Sequence, residues 1–189
     1  VQADCGACRT LTTNDTAAIP LAANILEVAG GGTLPIPAAT YIVGAQNHSD
    51  NNYPYWSTEP IFSVVGLDEL TIVGNNAVVR LADGIRYGSF DPDTGNPYTP
   101  GSMPFRDLNY AVTAGAMIDV EACRDVTITD LELDGNNENL IIGGGWGGSD
   151  IQLQGDGMVF ISCVGVTVER ISTHNHARDG VYVSWPDVL

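Results

Sequence analysis

The feature that most constrains the fold of this chain is a pattern of alternating apolar residues that occurs three times. Each copy has a short alternating strand, a tight turn, and a second strand that ends in an apolar residue, a threonine and another apolar residue. The copies cover residues 61–72, 118–128 and 158–168. Recurrence of one structural unit is typical of a solenoid, in which each repeat packs only on its neighbours.

The threonines Thr71, Thr127 and Thr167 align the three copies and place their apolar residues in shared columns. The columns are Phe62, Ile118 and Met158; Val64, Val120 and Phe160; Leu70, Val126 and Val166; and Ile72, Ile128 and Val168. Alternation of period two marks strands with one buried face, and shared columns indicate parallel strands stacked about 4.8 Å apart.

A third strand is predicted in each level, at residues 78–81, 140–142 and 181–183. The chain is therefore predicted to be an all-β protein, a parallel β-helix with three strands per turn. A right-handed sense is expected because it is the usual sense of parallel crossover connections.

The N-terminal segment has helical rather than alternating spacing. Residues 15–29 form the helical pattern, which Gly30–Gly32 ends, and Pro20 is tolerated only in a first turn, so the helix should begin near Ile19. We expect it to cap the solenoid within a segment of about residues 1–32.

Residues 1–189 are expected to form a single β-helix domain. No capping element follows the last predicted strand, and an uncovered solenoid end exposes strand edges. We therefore expect this domain to be the N-terminal part of a longer solenoid, or its end to be covered by self-association or by a further chain.

The charge of the chain excludes one class of partner. The net charge is −16, and all 7 basic residues are arginines. Binding to nucleic acid is not expected, because a basic patch is needed to neutralise phosphates. The acidity suits either a surface adapted to high salt or irregular calcium sites. No apolar run is long enough to span a membrane.

The four cysteines fall into two pairs. Cys5 and Cys8 form a lone Cys-x-x-Cys pattern, for which a local disulfide is favoured over zinc. Cys123 and Cys163 occupy the same turn position in successive repeats. They could form a disulfide, but two buried thiols are the favoured interpretation.

Several segments resemble the pectate-lyase-like superfamily of right-handed parallel β-helix proteins. They are Asp15-Thr-Ala-Ala-Ile19, the Gly-rich segment 30–43 ending in Thr-Tyr-Ile-Val, and Asp179-Gly-Val-Tyr-Val183. The chain departs from the common motifs at Pro20, where many members have Gln, and at Ala39, where they have Gly. The resemblance implies a polysaccharide lyase, a glycoside hydrolase, an epimerase or a tailspike, since one fold serves many activities.

The unequal repeat spacing places long insertions at one corner of the solenoid, over residues 45–60, 82–115 and 143–157. Aromatic side chains in such loops can stack on sugar rings or can simply hold the loops in place. The candidate substrate-binding residues are Trp56, Trp146, Tyr182 and Trp185.

A polar turn near this corner supplies the candidate catalytic residues. The 40-residue offset between repeats stacks His174 on Asp134 and His176 on Asn136, and it places Arg178 and Asp179 over residues 138 and 139. His174 or His176 could act as the base of a lyase, with Arg178 neutralising a uronate carboxylate. Asp134 and Asp179 could instead serve as the carboxylate pair of a hydrolase. An ordinary polar turn is the third interpretation.

We therefore expect a secreted or cell-surface, carbohydrate-active protein whose partner is a polysaccharide. A lyase or a hydrolase acting in a groove along the stacked strands is favoured. The alternative is a non-catalytic fibre, tailspike-like or adhesive β-helix that assembles through its open end. No cofactor is certain, although calcium is a candidate.

Overall fold

A computed structural model describes residues 15–49, 56–98, 110–144 and 153–185. Its largest sheet, named here the long-strand sheet, contains β1 (Gly31–Pro35), β2 (Thr40–Val43), β6 (Glu69–Leu81), β10 (Arg124–Asp134) and β13 (Val164–His174). The short-strand sheet contains β5 (Phe62–Val65), β9 (Gly115–Glu121), β12 (Gly155–Ile161) and β14 (Val181–Ser184). Every pairing within these two sheets is parallel.

Two smaller sheets are built mostly from the segments that were predicted to be insertions, and β11 overlaps the predicted third strand at residues 140–142. The side sheet contains β7 (Arg86–Ser89), β8 (Ala111–Val112) and β11 (Ile141–Gly143). A hairpin pairs β3 (Gln46–His48) with β4 (Trp56–Thr58).

The register of the strands confirms all four predicted columns. Thr127 pairs with both Thr71 and Thr167 in the long-strand sheet. Ile118 likewise pairs with both Phe62 and Met158 in the short-strand sheet. The fold that the sequence resemblance implied, a stack of parallel strands, is therefore the fold of this chain.

The columns form the hydrophobic core between the two sheets. Leu70 and Val126 are fully buried, as are Val64 and Val120. Val166, in the next level of the same core, is 38% exposed, because no described strand lies over β13. Each level of the stack thus depends on its neighbour for burial of its apolar face.

Residues with positive φ make the corners of the stack. Ala122 and Ser162 have left-handed φ angles of 53° and 57° in the turn that joins the two main sheets. Asp130 and Arg170 have similar angles, of 58° and 52°, where β10 and β13 bend. The same turn position in successive levels therefore requires the same uncommon backbone conformation.

Cys123 and Cys163 follow the corner residues of the first turn. Both are free thiols, as the favoured interpretation predicted, but only Cys123 is buried and Cys163 is half-buried. The Cys123 sulfur accepts a hydrogen bond from the Leu67 backbone N–H at 3.2 Å, and burial raises the pKa of this thiol. Cys5 and Cys8 lie outside the described residues.

The assignment of the third strands is wrong for two of the three levels. Residues 78–81 pair with the second half of β10, whereas Ile141 of β11 pairs with Arg86 in the side sheet. Val181 pairs with Met158, so β14 begins the next level of the short-strand sheet. Short alternating segments have the same pattern in every sheet, and the different turn lengths decide which sheet each one joins.

The helix α1 covers Ala18–Ala29, so it begins one residue before the predicted start. Gly30 ends it in the left-handed conformation, with a φ of 77°. Leu26 enters the core, and the Glu27 carboxylate accepts the backbone N–H of Val65 at 3.1 Å. The capping role of this helix, the handedness of the stack and the number of strands per turn stay predictions. Within the described residues, no helix has the length and apolar character needed to cross a membrane.

Candidate functional site

The outer face of the long-strand sheet carries a row of charged side chains. Asp134 pairs in register with Arg80 on one side and with His174 on the other, which confirms the predicted stacking of His174 on Asp134. Arg80 Nε lies 3.4 Å from Asp134 Oδ2, and His174 Nδ1 lies 3.6 Å from Asp134 Oδ1. Strand alternation turns these side chains outward, because their neighbours Leu81, Leu133 and Thr173 point inward.

Glu132 completes this group, and sequence reasoning missed it. Its Oε1 lies 3.2 Å from His174 Nε2, so the imidazole has a carboxylate at each ring nitrogen. Glu132 and His174 are half-exposed, whereas Asp134 is more buried. The signal was present in the sequence: Glu132 lies two residues before Asp134, and period-two alternation puts both on one face. We name Arg80, Glu132, Asp134 and His174 the outer-face cluster.

Asn136 supports the outer-face cluster from the turn that follows β10. Its buried amide oxygen accepts hydrogen bonds from Arg80 at 2.7 Å and from Asn139 at 2.8 Å. Its amide nitrogen donates to the Leu81 carbonyl at 2.9 Å and to Asp83 at 2.8 Å. The side chain thereby fixes the position of Arg80 relative to Asp134.

His176 does not join the cluster. Its Nε2 lies 2.7 Å from the Thr173 hydroxyl, and a Cβ on Gly135 or Gly157 would come within 2.6 Å or 2.8 Å of its ring nitrogens. Burial lowers the pKa of His176, and neighbouring His174 lowers it further. The ring is therefore a neutral packing group between two glycines.

Arg178 and Asp179 turn away from the outer-face cluster toward β12. Arg178 forms a bidentate ion pair with Asp156, at 2.8 Å and 2.6 Å, and the Asp179 backbone N–H donates to the same carboxylate at 3.0 Å. Burial by itself would lower the pKa of Arg178, but Asp156 raises it above its ordinary value, so the guanidinium stays charged. Sequence reasoning missed Asp156, since an isolated aspartate between glycines gives no signal of its buried partner.

A single aspartate, Asp119, lies on the outer side of the short-strand sheet. Asp119 pairs with Val159, which pairs with Tyr182 in the next level. The Oδ1 atom of Asp119 is buried without a hydrogen-bond partner. Burial raises the pKa of Asp119, and the charges of Glu121 and Asp156 raise it further.

The aromatic candidates occupy different surroundings. The Arg86 guanidinium covers one face of the Trp56 ring, 3.8 Å from its centroid, and His48 lies 4.6 Å from the same ring. Tyr182 has the Arg178 guanidinium 4.9 Å from its ring centroid. Trp185 is well exposed, and Trp146 lies outside the described residues.

The outer-face cluster has the groups needed for proton transfer at an open surface. An imidazole between two carboxylates can take up or donate a proton, and the nearby guanidinium can bind an anionic or hydroxylated ligand. No group of three or more His, Cys, Asp or Glu side chains in the described ranges is arranged to hold a metal ion.

Comparisons with known proteins identify structures of similar fold. No protein-family model and no curated protein matches the chain. The chain is similar to the A-module of Azotobacter vinelandii mannuronan C-5 epimerase AlgE6, with 19% identity and a TM-score of 0.41 over 89% of this chain and 40% of that one. The chain is also similar to the A-module of mannuronan C-5 epimerase AlgE4 from the same organism, with 20% identity and a TM-score of 0.42 over 96% of this chain and 49% of that one.

A third similar structure is a candidate glycosyl hydrolase from Parabacteroides merdae, with 16% identity and a TM-score of 0.35 over 96% of this chain and 95% of that one. This chain spans less than half the length of either epimerase module. Its stacked parallel strands define the class of fold, a parallel β-helix.

Proposed function

We propose that this chain belongs to a carbohydrate-active enzyme that cleaves a polysaccharide along the outer face of the long-strand sheet. The observation that carries the proposal is His174, which has Glu132 at 3.2 Å and Asp134 at 3.6 Å. A surface formed by stacked strands offers equivalent positions at regular intervals, which suits an extended polymer. Because a polysaccharide is too large to cross a membrane, we also propose that the protein acts outside the cell.

Each member of the outer-face cluster has a role in this proposal. His174 transfers the proton to or from the sugar, as a base in elimination or as an acid in hydrolysis. Glu132 and Asp134 orient the imidazole through contacts at its two ring nitrogens. Arg80, which is held by Asn136, binds a hydroxyl or carboxylate of the sugar beside the reacting bond.

Arg178 and Asp179 have a different part in this proposal. Asp156 already neutralises the Arg178 guanidinium, and Asp179 donates its backbone N–H to the same carboxylate. We assign Arg178 and Asp179 to positioning β14 and Tyr182, rather than to proton transfer.

The test is turnover of a panel of neutral and acidic polysaccharides, with and without calcium. Reducing-end release reports any cleavage, and ultraviolet absorbance of unsaturated ends separates elimination from hydrolysis. The variant His174→Gln should lower turnover by about 100-fold, the ordinary scale of general acid–base catalysis. The matched control is Thr167→Ser on the same outer face of β13, which should keep full turnover.

A non-catalytic fibre or adhesive β-helix is the second candidate. It is favoured by the exposed apolar side chains of the last described level, which include Val164, Val168 and Val183. Such a surface suits stacking on another strand layer. Concentration-dependent association, together with no turnover on any glycan, would support this candidate and contradict the enzymatic one.

A further inference from the structure

Two cysteines occupy the same corner position in adjacent levels of the stack. Cys123 and Cys163 each lie four residues before the aligned threonine of their level. Leu67 fills this position in the first level, where it is buried. An ordinary apolar side chain therefore satisfies the packing of this corner, and two successive thiols call for a separate explanation.

The backbone of this corner stacks in the same way from one level to the next. The Arg124 N–H donates a hydrogen bond to the Leu67 carbonyl at 2.8 Å. In the next level the Val164 N–H donates to the Cys123 carbonyl at 2.9 Å. Equivalent residues of stacked parallel strands lie about 4.8 Å apart, within the range of about 4.4–6.8 Å that the two Cα atoms of a disulfide require.

Both sulfur atoms contact the end of strand β9. The Cys123 thiol donates a hydrogen bond to the Glu121 carbonyl at 3.2 Å. The Cys163 thiol donates to the carbonyl of Val120, the preceding residue, at 3.2 Å. Burial raises the pKa of the Cys123 thiol, and a thiolate at Cys163 raises it further. The Cys163 side chain therefore reaches into the level of Cys123, and the two sulfurs are neighbours.

We propose that Cys123 and Cys163 are a reversible oxidation site, at which a disulfide joins adjacent levels of the stack. The thiolate of half-buried Cys163 attacks the sulfur–sulfur bond of a low-molecular-weight disulfide and displaces one thiol. Buried Cys123 then attacks the mixed disulfide and releases the second thiol. Two protein thiols are oxidised, the external disulfide is reduced to two thiols, and the two protein protons pass to those thiols.

The disulfide closes a loop of about 40 residues that contains β10, β11 and β12. Such a bond stabilises a fold mainly by restricting the unfolded chain, and a loop of this length gives a large effect. The equilibrium constant for unfolding should therefore decrease by at least about 30-fold on oxidation. The inference does not depend on the proposed carbohydrate activity.

The experiment treats the folded wild-type chain with oxidised glutathione, blocks the remaining thiols by alkylation, and digests the unreduced protein with an arginine-specific protease. Cleavage after arginine places Cys123 in peptide 107–124. Cys163 falls in peptide 125–170, whereas the other two cysteines stay together in peptide 1–9. Mass spectrometry should therefore find peptides 107–124 and 125–170 joined, and reduction should separate them.

Two controls test whether the folded corner directs the reaction. In the chain unfolded by urea, the same oxidation should give a mixture of cysteine pairings and a much lower yield of the joined peptide. The variant Cys163→Ser keeps Cys123 and should show no comparable gain of stability after oxidation, as measured by urea unfolding followed by circular dichroism. Cys123→Ser is the second variant, and the same result is expected.

Three results would overturn the inference. The first is recovery of both peptides as separate alkylated species from the oxidised native chain. The second is an equal yield of the joined peptide from the folded and the unfolded chain, which would show that the corner does not direct the pairing. The third is a joined chain that unfolds as readily as the reduced one, which would show that the corner does not accommodate the bond.

Discussion

The buried ion pair between Arg178 and Asp156 makes a quantitative prediction about stability. The Asp156 side chain is fully buried, and the Arg178 side chain is 20% exposed. Asp156 receives three hydrogen bonds, two of them from Arg178. In the variant Arg178→Met only the Asp179 backbone N–H remains, so a buried carboxylate loses its compensating charge.

Removal of one partner of a buried ion pair lowers the free energy of unfolding by about 3–5 kcal/mol. Because Arg178 is partly exposed, water can reach the vacated space, and we expect a loss at the lower end, about 3 kcal/mol. Adding Asp156→Asn to Arg178→Met removes the uncompensated charge. The double variant should therefore recover about 1–2 kcal/mol of the free energy of unfolding relative to Arg178→Met.

The chain supplies a matched control in the ion pair of Arg170 with Asp130. Its geometry is also bidentate, at 2.6 Å and 2.9 Å, but its side chains are 61% and 28% exposed. Arg170→Met should lower the free energy of unfolding much less than Arg178→Met does, because exposed ion pairs are screened by solvent. The assay is urea unfolding followed by circular dichroism. Equal losses for Arg178→Met and Arg170→Met would refute the assigned structural role of Arg178.

Two further predictions concern residues near the outer-face cluster. Burial lowers the pKa of His176 below its ordinary 6.5, so protons bind the unfolded chain first as pH falls. The free energy of unfolding should decrease as pH drops below 6.5, and His176→Gln should reduce that dependence; an unchanged pH profile in urea unfolding would contradict it. Asn136 has a φ of 50° and makes four side-chain hydrogen bonds. Asn136→Ala should therefore lower the free energy of unfolding by about 2–4 kcal/mol. Asn136→Gly, which relieves the backbone strain, should lose less by the same measurement, and the reverse order would show that backbone strain is not part of the cost.

The sequence was sufficient to predict the stacked part of the fold. Period-two alternation and a repeated threonine determine the register, because a slip by one residue would expose every apolar side chain. The pairing of Thr127 with Thr71 and Thr167, and of Asp134 with His174, follows directly from the repeat length.

The sequence was insufficient where turn length decides the path. Residues 140–142 and 181–183 have similar apolar patterns, yet they join different sheets. The first follows a turn that leads to the side sheet, and the second follows a turn that returns to the short-strand sheet. Local alternation specifies that a strand forms but does not specify its neighbour.

The candidate site was predicted in part for the same reason. His174 and Asp134 lie on strands with a known register, so their contact was predictable. Arg178 lies in a turn beyond the last paired residue, and its partner Asp156 is 22 residues earlier in the chain. A long-range pair of that kind has no local pattern in the sequence.

The most direct test of the account compares polysaccharide turnover by the wild-type chain, His174→Gln and Thr167→Ser in the same assay. We expect measurable cleavage by the wild type and by Thr167→Ser, with a loss of about 100-fold in His174→Gln. Equal turnover by all three proteins would show that the outer-face cluster does not perform the chemistry. Absence of turnover by the wild type on every neutral and acidic glycan, with and without calcium, would contradict the enzymatic function itself.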